Sequence, residues 1–346
     1  MNNISPKIRI EDAVGLRLAH DITEVRPGEY KGPSFRKGHK VRNEDLCHLM
    51  RLGKRHLYQL DTDQNKIHED EAVLELAAAL AGPGVTFGRT PHEGKLQLKA
   101  AYDGLLKVKC EPLIDFNMIP DVMCASMHNN TPVKKDACLA GTRAIPLVID
   151  RAVLDSAVLT ARTHAPVFSV KLFNPLKSKL IITGNEIYDG LIEDRFESVV
   201  GDKLGAYGLT LSESVILPDD EARIAKQIQT YLEDGTELII TTGGMSVDPD
   251  DVTRESIRRA GADPMFYSAA VLPGAMFLLA YKGNIPIVGM PACGLFHPIT
   301  IFDLILPRLL AGEKPDNRDL ARLAPGGLCL NCPTCHFPNC SFGKSG

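Results

Sequence analysis

An α/β fold is predicted for the second half of this chain: a parallel sheet with helices on both faces, preceded by a smaller α+β module. Two observations predict it. From Lys179 onward the order strand, glycine, helix repeats, as in KLIITG, TLSESVILP and ELIITTGG with helical stretches between them. These apolar runs are short, β-branched and almost free of charge, as strands buried on both faces of a parallel sheet are. Repeated βα units with short loops imply right-handed crossovers.

Taken in order, residues 1–60 mix short elements. RIEDAVGLRLAHDI reads as a strand or short helix, and KGPSFRKGHKV as a basic turn region. NEDLCHLMRLG places Leu46, Leu49 and Met50 at helical spacing before Gly53, and HLYQL reads as a strand. The basic cluster Lys31, Arg36, Lys37, His39, Lys40 suits either an anionic ligand or a solvated hairpin tip. Residues 61–175 open with the turn-rich DTDQN and the alanine-rich helix EDEAVLELAAALAG, ended by Gly82 and Pro83. KLQLKA and LLKVK alternate around Tyr102-Asp103-Gly104, a hairpin signal, and CLAGTRAIPLVID continues as strand. This is expected to be an α+β module sharing strands with the first segment.

In residues 176–314, RFESVVGDKLGAYG sets Phe196, Val199, Val200, Leu204 and Tyr207 on one helical face before Gly208. DDEARIAKQIQTYLEDG opens with acidic residues and buries Ile224, Ile228 and Leu232. VTRESIRRAG is a third helix, and the strand IPIVGMP feeds the apolar stretch LFHPITIFDLILPRLLAG. Residues 315–346 form a separate cysteine-rich tail.

Composition narrows the function. The 346 residues are 44% hydrophobic and 24% charged, an ordinary soluble balance. A net charge of −4 and a pI near 6.2 give no electrostatic case for nucleic acid or an anionic membrane as partner. No run reaches the roughly 18 apolar residues of a membrane helix, and MNNISPKIRIED lacks a signal peptide's apolar core. A cytoplasmic protein is expected. Five of the nine cysteines (Cys47, Cys110, Cys124, Cys138, Cys293) are scattered, as reduced cysteines are.

Three strand ends bring ligand-competent groups to one sheet edge: TGNEIYDGLIED with Asn185, Glu186, Asp189 and Asp194; TTGGMSVDPDD; and GMPACGLF. Ligands of open α/β sheets bind outside the carboxyl ends of strands, where glycine lets backbone N–H groups approach them. Carboxylates crowded at one edge repel one another unless a cation or polar ligand sits among them, and Mg2+ takes one or two carboxylates plus substrate phosphates. The implied ligand is polar and phosphorylated.

TGNEI, GLIEDRF, PDD, TTGGMSVDPDD, LPGAMF and GMPACG resemble, in order and spacing, the molybdopterin-binding domain shared by MoeA-type molybdenum insertases and MogA-type adenylyltransferases. The likeness spans about residues 175–312. It implies a molybdopterin-binding-type sheet between helices, with the pterin phosphate and dithiolene held over the GG turn. By this resemblance Gly184, Gly243, Gly244, Ser246, Pro273 and Gly274 would contact the ligand, and Glu186, Asp194, Asp248 and Asp251 would hold Mg2+ or orient water. FRKGHKVRNEDLCHLMRLGKRHLYQLD and VKKDACLAGTRAIPL are similar to the insertases' N-terminal half, which the adenylyltransferases lack. The implied activity is that of a molybdopterin molybdenumtransferase: binding adenylylated molybdopterin, inserting molybdate or tungstate and releasing AMP, in a homodimer.

The departures are specific. The insertases' PGKP reads Pro273-Gly274-Ala275-Met276, without the lysine, although Lys282 is close in sequence; their GNP reads Ala292-Cys293-Gly294. Their DGYA-type motif and final β-barrel have no counterpart. These losses leave a second reading, a molybdopterin-binding carrier or sensor without the chemistry, and a third, a nucleotide hydrolase on the same fold. The tail GGLCLNCPTCHFPNCSFGKSG has Cys329, Cys332 and Cys335 at CxxCxxC spacing, then His336 and Cys340. Such spacing surrounds a metal with thiolates, and zinc and an iron–sulfur cluster are both open.

Overall fold

The computed structural model describes residues 7–58, 65–245 and 252–344. They form two compact units: residues 1–102, 107–127 and 135–170 make the first, and residues 103–106, 128–134 and 171–346 the second.

The first unit is α+β. Lys7–Arg9 pairs antiparallel with His56–Tyr58, and Ile22–Arg26 with Tyr30–Phe35. The first five residues of the stretch expected as a basic turn are thus part of the second strand of a hairpin, because Phe35 at the strand's end joins Ile10, Leu18, Leu49 and Leu57 in a small core, while the turn itself follows from Arg36. The helix Asp45–Arg51 lies where the leucine spacing places it. Helix Glu69–Leu80 packs on a four-stranded antiparallel sheet in the order Val85–Phe87, Lys95–Ala100, Cys138–Ala144, Val122–Ser126. Lys95–Ala100 buries every second residue, the signature of a strand with one face on a core.

Lys95–Ala100 and Gly104–Val108 do not form the expected hairpin. Lys95–Ala100 pairs with Val85–Phe87 and Cys138–Ala144, whereas residues 104–106 pair with Thr131–Val133. The turn is held elsewhere: Ala101 N–H donates to the Gly84 carbonyl at 2.9 Å, and the Tyr102 hydroxyl to that of Val170 at 3.0 Å.

The second unit is built on six strands: β1 (Ser178–Thr183), β2 (Leu211–Leu217), β3 (Leu238–Thr242), β4 (Met265–Tyr267), β5 (Leu278–Lys282) and β6 (Ile285–Met290). Their order is β2-β1-β3-β6-β5-β4, with β2, β1, β3 and β6 parallel and β5 and β4 antiparallel at one edge. Every residue of β1 and β3 is buried, Lys179 of β1 included, whose ammonium pairs with Glu213 and Asp234.

Helices cover both faces. Helix α1 (Asn185–Tyr188) is one turn; α2 (Phe196–Gly205), α3 (Glu221–Glu233), α4 (Thr253–Arg259), α5 (Ile301–Leu310) and α6 (Asn317–Ala321) follow. On one face, Leu180 and Ile182 of β1 meet Phe196, Val200 and Leu204 of α2, together with Ile301, Phe302 and Ile305 of α5. On the other, Ile181 meets Ile224 and Ile228 of α3 and Ile257 of α4. The alternation of β1 side chains makes this division. On α3, Tyr231 completes the buried stripe and Leu232 sits at its margin.

The tail belongs to this unit. Leu320, Leu323 and Phe342 are buried in the same cluster as α2 and α5. Among the described residues no helix is long and apolar enough to cross a membrane.

Candidate functional site

The chain leaves β1 through α1 and α2 on one face, and leaves β3 for α4 on the other. Neighbouring parallel strands whose connections diverge open a crevice at their carboxyl ends. A cavity of about 570 Å³ lies there, lined by Thr183 at the end of β1, Glu186 and Ile187 after it, Phe196, Gly243 to Met245 after β3, Leu272 to Met276, and Pro291 to Cys293 after β6.

Its floor is tightly built. Thr183 Oγ1 donates to the Thr242 carbonyl at 3.0 Å and lies 3.1 Å from Thr253 Oγ1, while Thr253 N–H donates to the Gly244 carbonyl at 3.1 Å. Gly243 and Gly244 have φ of 81° and 57°, in the left-handed region. A Cβ on Gly243 would collide with the Thr183 carbonyl oxygen, and one on Gly244 with Thr253 Oγ1. The two glycines are therefore what lets β3 end flush against β1.

Of the residues singled out from sequence, Glu186, Gly243, Gly244, Pro273 and Gly274 line this cavity. Gly184 is the residue from which α1 starts, beside the Glu186 carboxylate. Asp194 does not line it: its two oxygens accept the Phe196 and Glu197 N–H groups at 2.9 and 3.0 Å, capping α2. Ser246, Asp248 and Asp251 lie outside the described residues. Asp219 and Asn185 exchange two bonds, Asn185 N–H to Asp219 Oδ2 at 3.0 Å and Asp219 N–H to Asn185 Oδ1 at 3.1 Å, tying the ends of β1 and β2 together.

Glu186 is the sole charged side chain among the described residues of the lining, and no lysine or arginine is among them. Lys282 is not in the lining; its Nζ donates to the Gly261 carbonyl at 2.9 Å. Sulfur is prominent in its place, from Met245, Met276 and Cys293. Thioethers adapt to flat ring surfaces. Burial pushes the Cys293 thiol above its ordinary range, so it stays a neutral thiol near pH 7. The Tyr267 hydroxyl donates to the Met245 carbonyl at 2.6 Å and holds that side of the turn. Thr183 and Met245 were not anticipated; a threonine just before the glycine is the sequence signal that marks the floor.

Two other cavities carry residues noted from sequence. In the first unit, one of about 550 Å³ includes His20, Lys37, His68, Glu69 and Arg143. Lys37, expected at a hairpin tip or an anion site, bonds Asp70 at 2.6 Å and His68 Nδ1 at 2.9 Å. The second, of about 170 Å³, is lined by Cys329, Cys332, Cys335, Cys340, His297 and His336 among others. Among the described residues no three His, Cys, Asp or Glu side chains are gathered so as to hold a metal ion.

Residues 179–311 match the family model described as probable molybdopterin binding domain, and residues 7–61 match one described as a domain of unknown function (DUF8806). The CinA-like protein of Mycobacterium tuberculosis is 34% identical over 83 residues, 24% of this chain and 19% of that protein, and that of Mycobacterium leprae has the same identity and coverage. The chain thus spans about a fifth of the length of the curated relatives it matches. Among solved structures, the molybdopterin biosynthesis enzyme MoaB of Thermus thermophilus is 18% identical with a TM-score of 0.35, over 40% of this chain and 98% of that one. The molybdopterin biosynthesis MoeA protein of Pyrococcus horikoshii is 15% identical with a TM-score of 0.34, over 73% of this chain and 80% of that one. Residues 179–311, which carry the cavity at the ends of β1 and β3, are the segment that matches the model of the probable molybdopterin binding domain.

Proposed function

We propose that this cavity binds adenylylated molybdopterin and that the chain serves molybdenum cofactor biosynthesis as a molybdopterin molybdenumtransferase, releasing AMP and taking up molybdate or tungstate. One observation carries the reading: the cavity occupies the switch point between two glycine-ended strands, inside the segment matched to the molybdopterin-binding family. The methionines and Ile187 suit a flat pterin, and the backbone of the GG turn offers N–H groups to its phosphate.

Glu186 fits a divalent cation on the cavity wall, with Asp248 and Asp251 as partners from outside the described residues. Mg2+ held there would screen the phosphate charge. Asp194, with both oxygens on backbone N–H groups, supports α2. The homodimer and the cytoplasmic location are parts of the same proposal.

A specific observation favours a second reading, the carrier or sensor: no lysine or arginine lines the cavity among the described residues. Ala275 stands where the insertases' lysine would be. Titration of the full chain with adenylylated molybdopterin, followed by AMP release with Mg2+ and molybdate, separates the two. Binding with release supports the transferase; binding without release supports the carrier; no binding refutes both. Ala275→Lys adds one favourable charge at a half-exposed wall, on the order of 1 kcal/mol, and should tighten binding of the phosphorylated pterin roughly fivefold. Unchanged affinity would place the phosphate elsewhere.

A further inference from the structure

One wall of the larger cavity, Leu272 to Met276, belongs to the loop between β4 and β5. The legs of this loop close on each other: Ser268 N–H donates to the Phe277 carbonyl at 2.9 Å, and Ala269 N–H to that of Ala275 at 3.0 Å. Leu272 lies beyond these bonds, at the tip. A loop tip held by nothing else has to be ordered by the ligand itself, and that ordering lowers affinity.

The partners of the tip come from the tail. Leu272 N–H donates to the Gly327 carbonyl and Cys329 N–H to the Leu272 carbonyl, each at 2.8 Å, so that Leu272 and Leu328 pair as residues of neighbouring parallel strands do. Gly327 permits the approach, since a Cβ there would collide with the Ala270 carbonyl oxygen. The tail is itself anchored. Leu320, Leu323 and Phe342 are buried in the core beside α2 and α5, Gly343 N–H donates to the Gly326 carbonyl at 2.9 Å, and Lys344 Nζ donates to Thr131 Oγ1 at 3.0 Å. On the α5 side, Ile301 N–H donates to the Pro273 carbonyl at 3.4 Å. The segment matched to the molybdopterin-binding model ends at residue 311, so the strap comes from outside it.

We propose that residues 327–329 are a positioning element of the ligand site, whose backbone straps the tip of the β4–β5 loop and pre-orders the wall from Leu272 to Met276. Cys329 acts here through its N–H, not its thiol. The identity of the ligand rests on the function proposed above; the strap does not.

The test compares, in the full chain, Cys329→Pro, which loses the N–H, with Cys329→Ser, which keeps the N–H and loses the thiol. Titration with adenylylated molybdopterin should show affinity lowered roughly three- to tenfold by the proline, as the loss of one hydrogen bond implies, and unchanged by the serine. Hydrogen exchange without ligand should quicken across residues 268–277 in the proline variant alone, with β1 and β3 protected as in wild type. Should the proline variant unfold, Gly327→Ala, which pushes the two backbones apart and retains both N–H and thiol, is read in the same two assays with the same expected result. Unchanged affinity or unchanged exchange at 268–277 would overturn the proposal, and an equal loss with serine would assign the effect to the thiol and overturn it as well. A wild-type chain that binds no pterin refutes the ligand reading alone, and the exchange comparison then decides whether the tail holds the wall.

Discussion

Gly243→Ala tests the construction of the cavity floor. Two costs add. An alanine at φ 81° bears left-handed strain of about 1–2 kcal/mol. Its Cβ would also press on the Thr183 carbonyl oxygen, which is backbone of a fully buried strand and cannot swing away. Overpacking of that kind costs about 1–3 kcal/mol, so the total is about 2–5 kcal/mol. Gly190→Ala is the reference, since Gly190 has φ 72° with nothing within 4 Å of its Cβ position, and strain alone should cost about 1–2 kcal/mol. Urea unfolding followed by far-UV circular dichroism measures both. The chain contains no tryptophan, so pterin fluorescence reports ligand binding in the same samples without interference. Gly243→Ala should weaken pterin binding and Gly190→Ala should not. An alanine at 243 that costs no more than one at 190 would refute the argument that crowding against β1 demands the glycine.

Asp194→Ala removes the acceptor for two N–H groups at the start of α2 and should cost about 0.5–2 kcal/mol while leaving ligand affinity unchanged. If AMP release vanished at undiminished stability, Asp194 would instead be part of the chemistry. Asp234 accepts from Lys179 and from Thr236 Oγ1, and those bonds hold its carboxyl well below the ordinary 3.8. A depressed folded value means stability that is present above about pH 4 and lost as the pH falls below it. Asp234→Asn should therefore show a shallower loss of urea resistance than wild type on acidification below pH 4, and identical slopes would contradict the pairing.

Strands β1, β2, β3 and β6 and helices α2 to α5 were legible because local pattern and burial agree there, whereas the antiparallel edge strands β5 and β4 were not read from the sequence, which suggested a parallel sheet throughout. ELIITT can only be a strand buried on both faces, and Ile224 and Ile228 recur at helical spacing. The ends of β1 and β3 were legible as glycines, hence Glu186, Gly243 and Gly244 of the cavity lining were too. Asp194 shows what pattern alone leaves open: a carboxylate after a strand reads equally as ligand or as cap, and only the two N–H groups in front of it distinguish them. The turn at Tyr102 shows another limit, since alternating strands around Asp-Gly suit a hairpin, yet partners remote in sequence took their hydrogen bonds. The tail carries the same lesson. Spacing in the sequence determined that four thiols fall within twelve residues, but the cavity they border exists because Leu272 bonds the start of the loop and Phe342 anchors its end in the core. Those contacts join residues far apart in the chain, and only the folded structure brings them together.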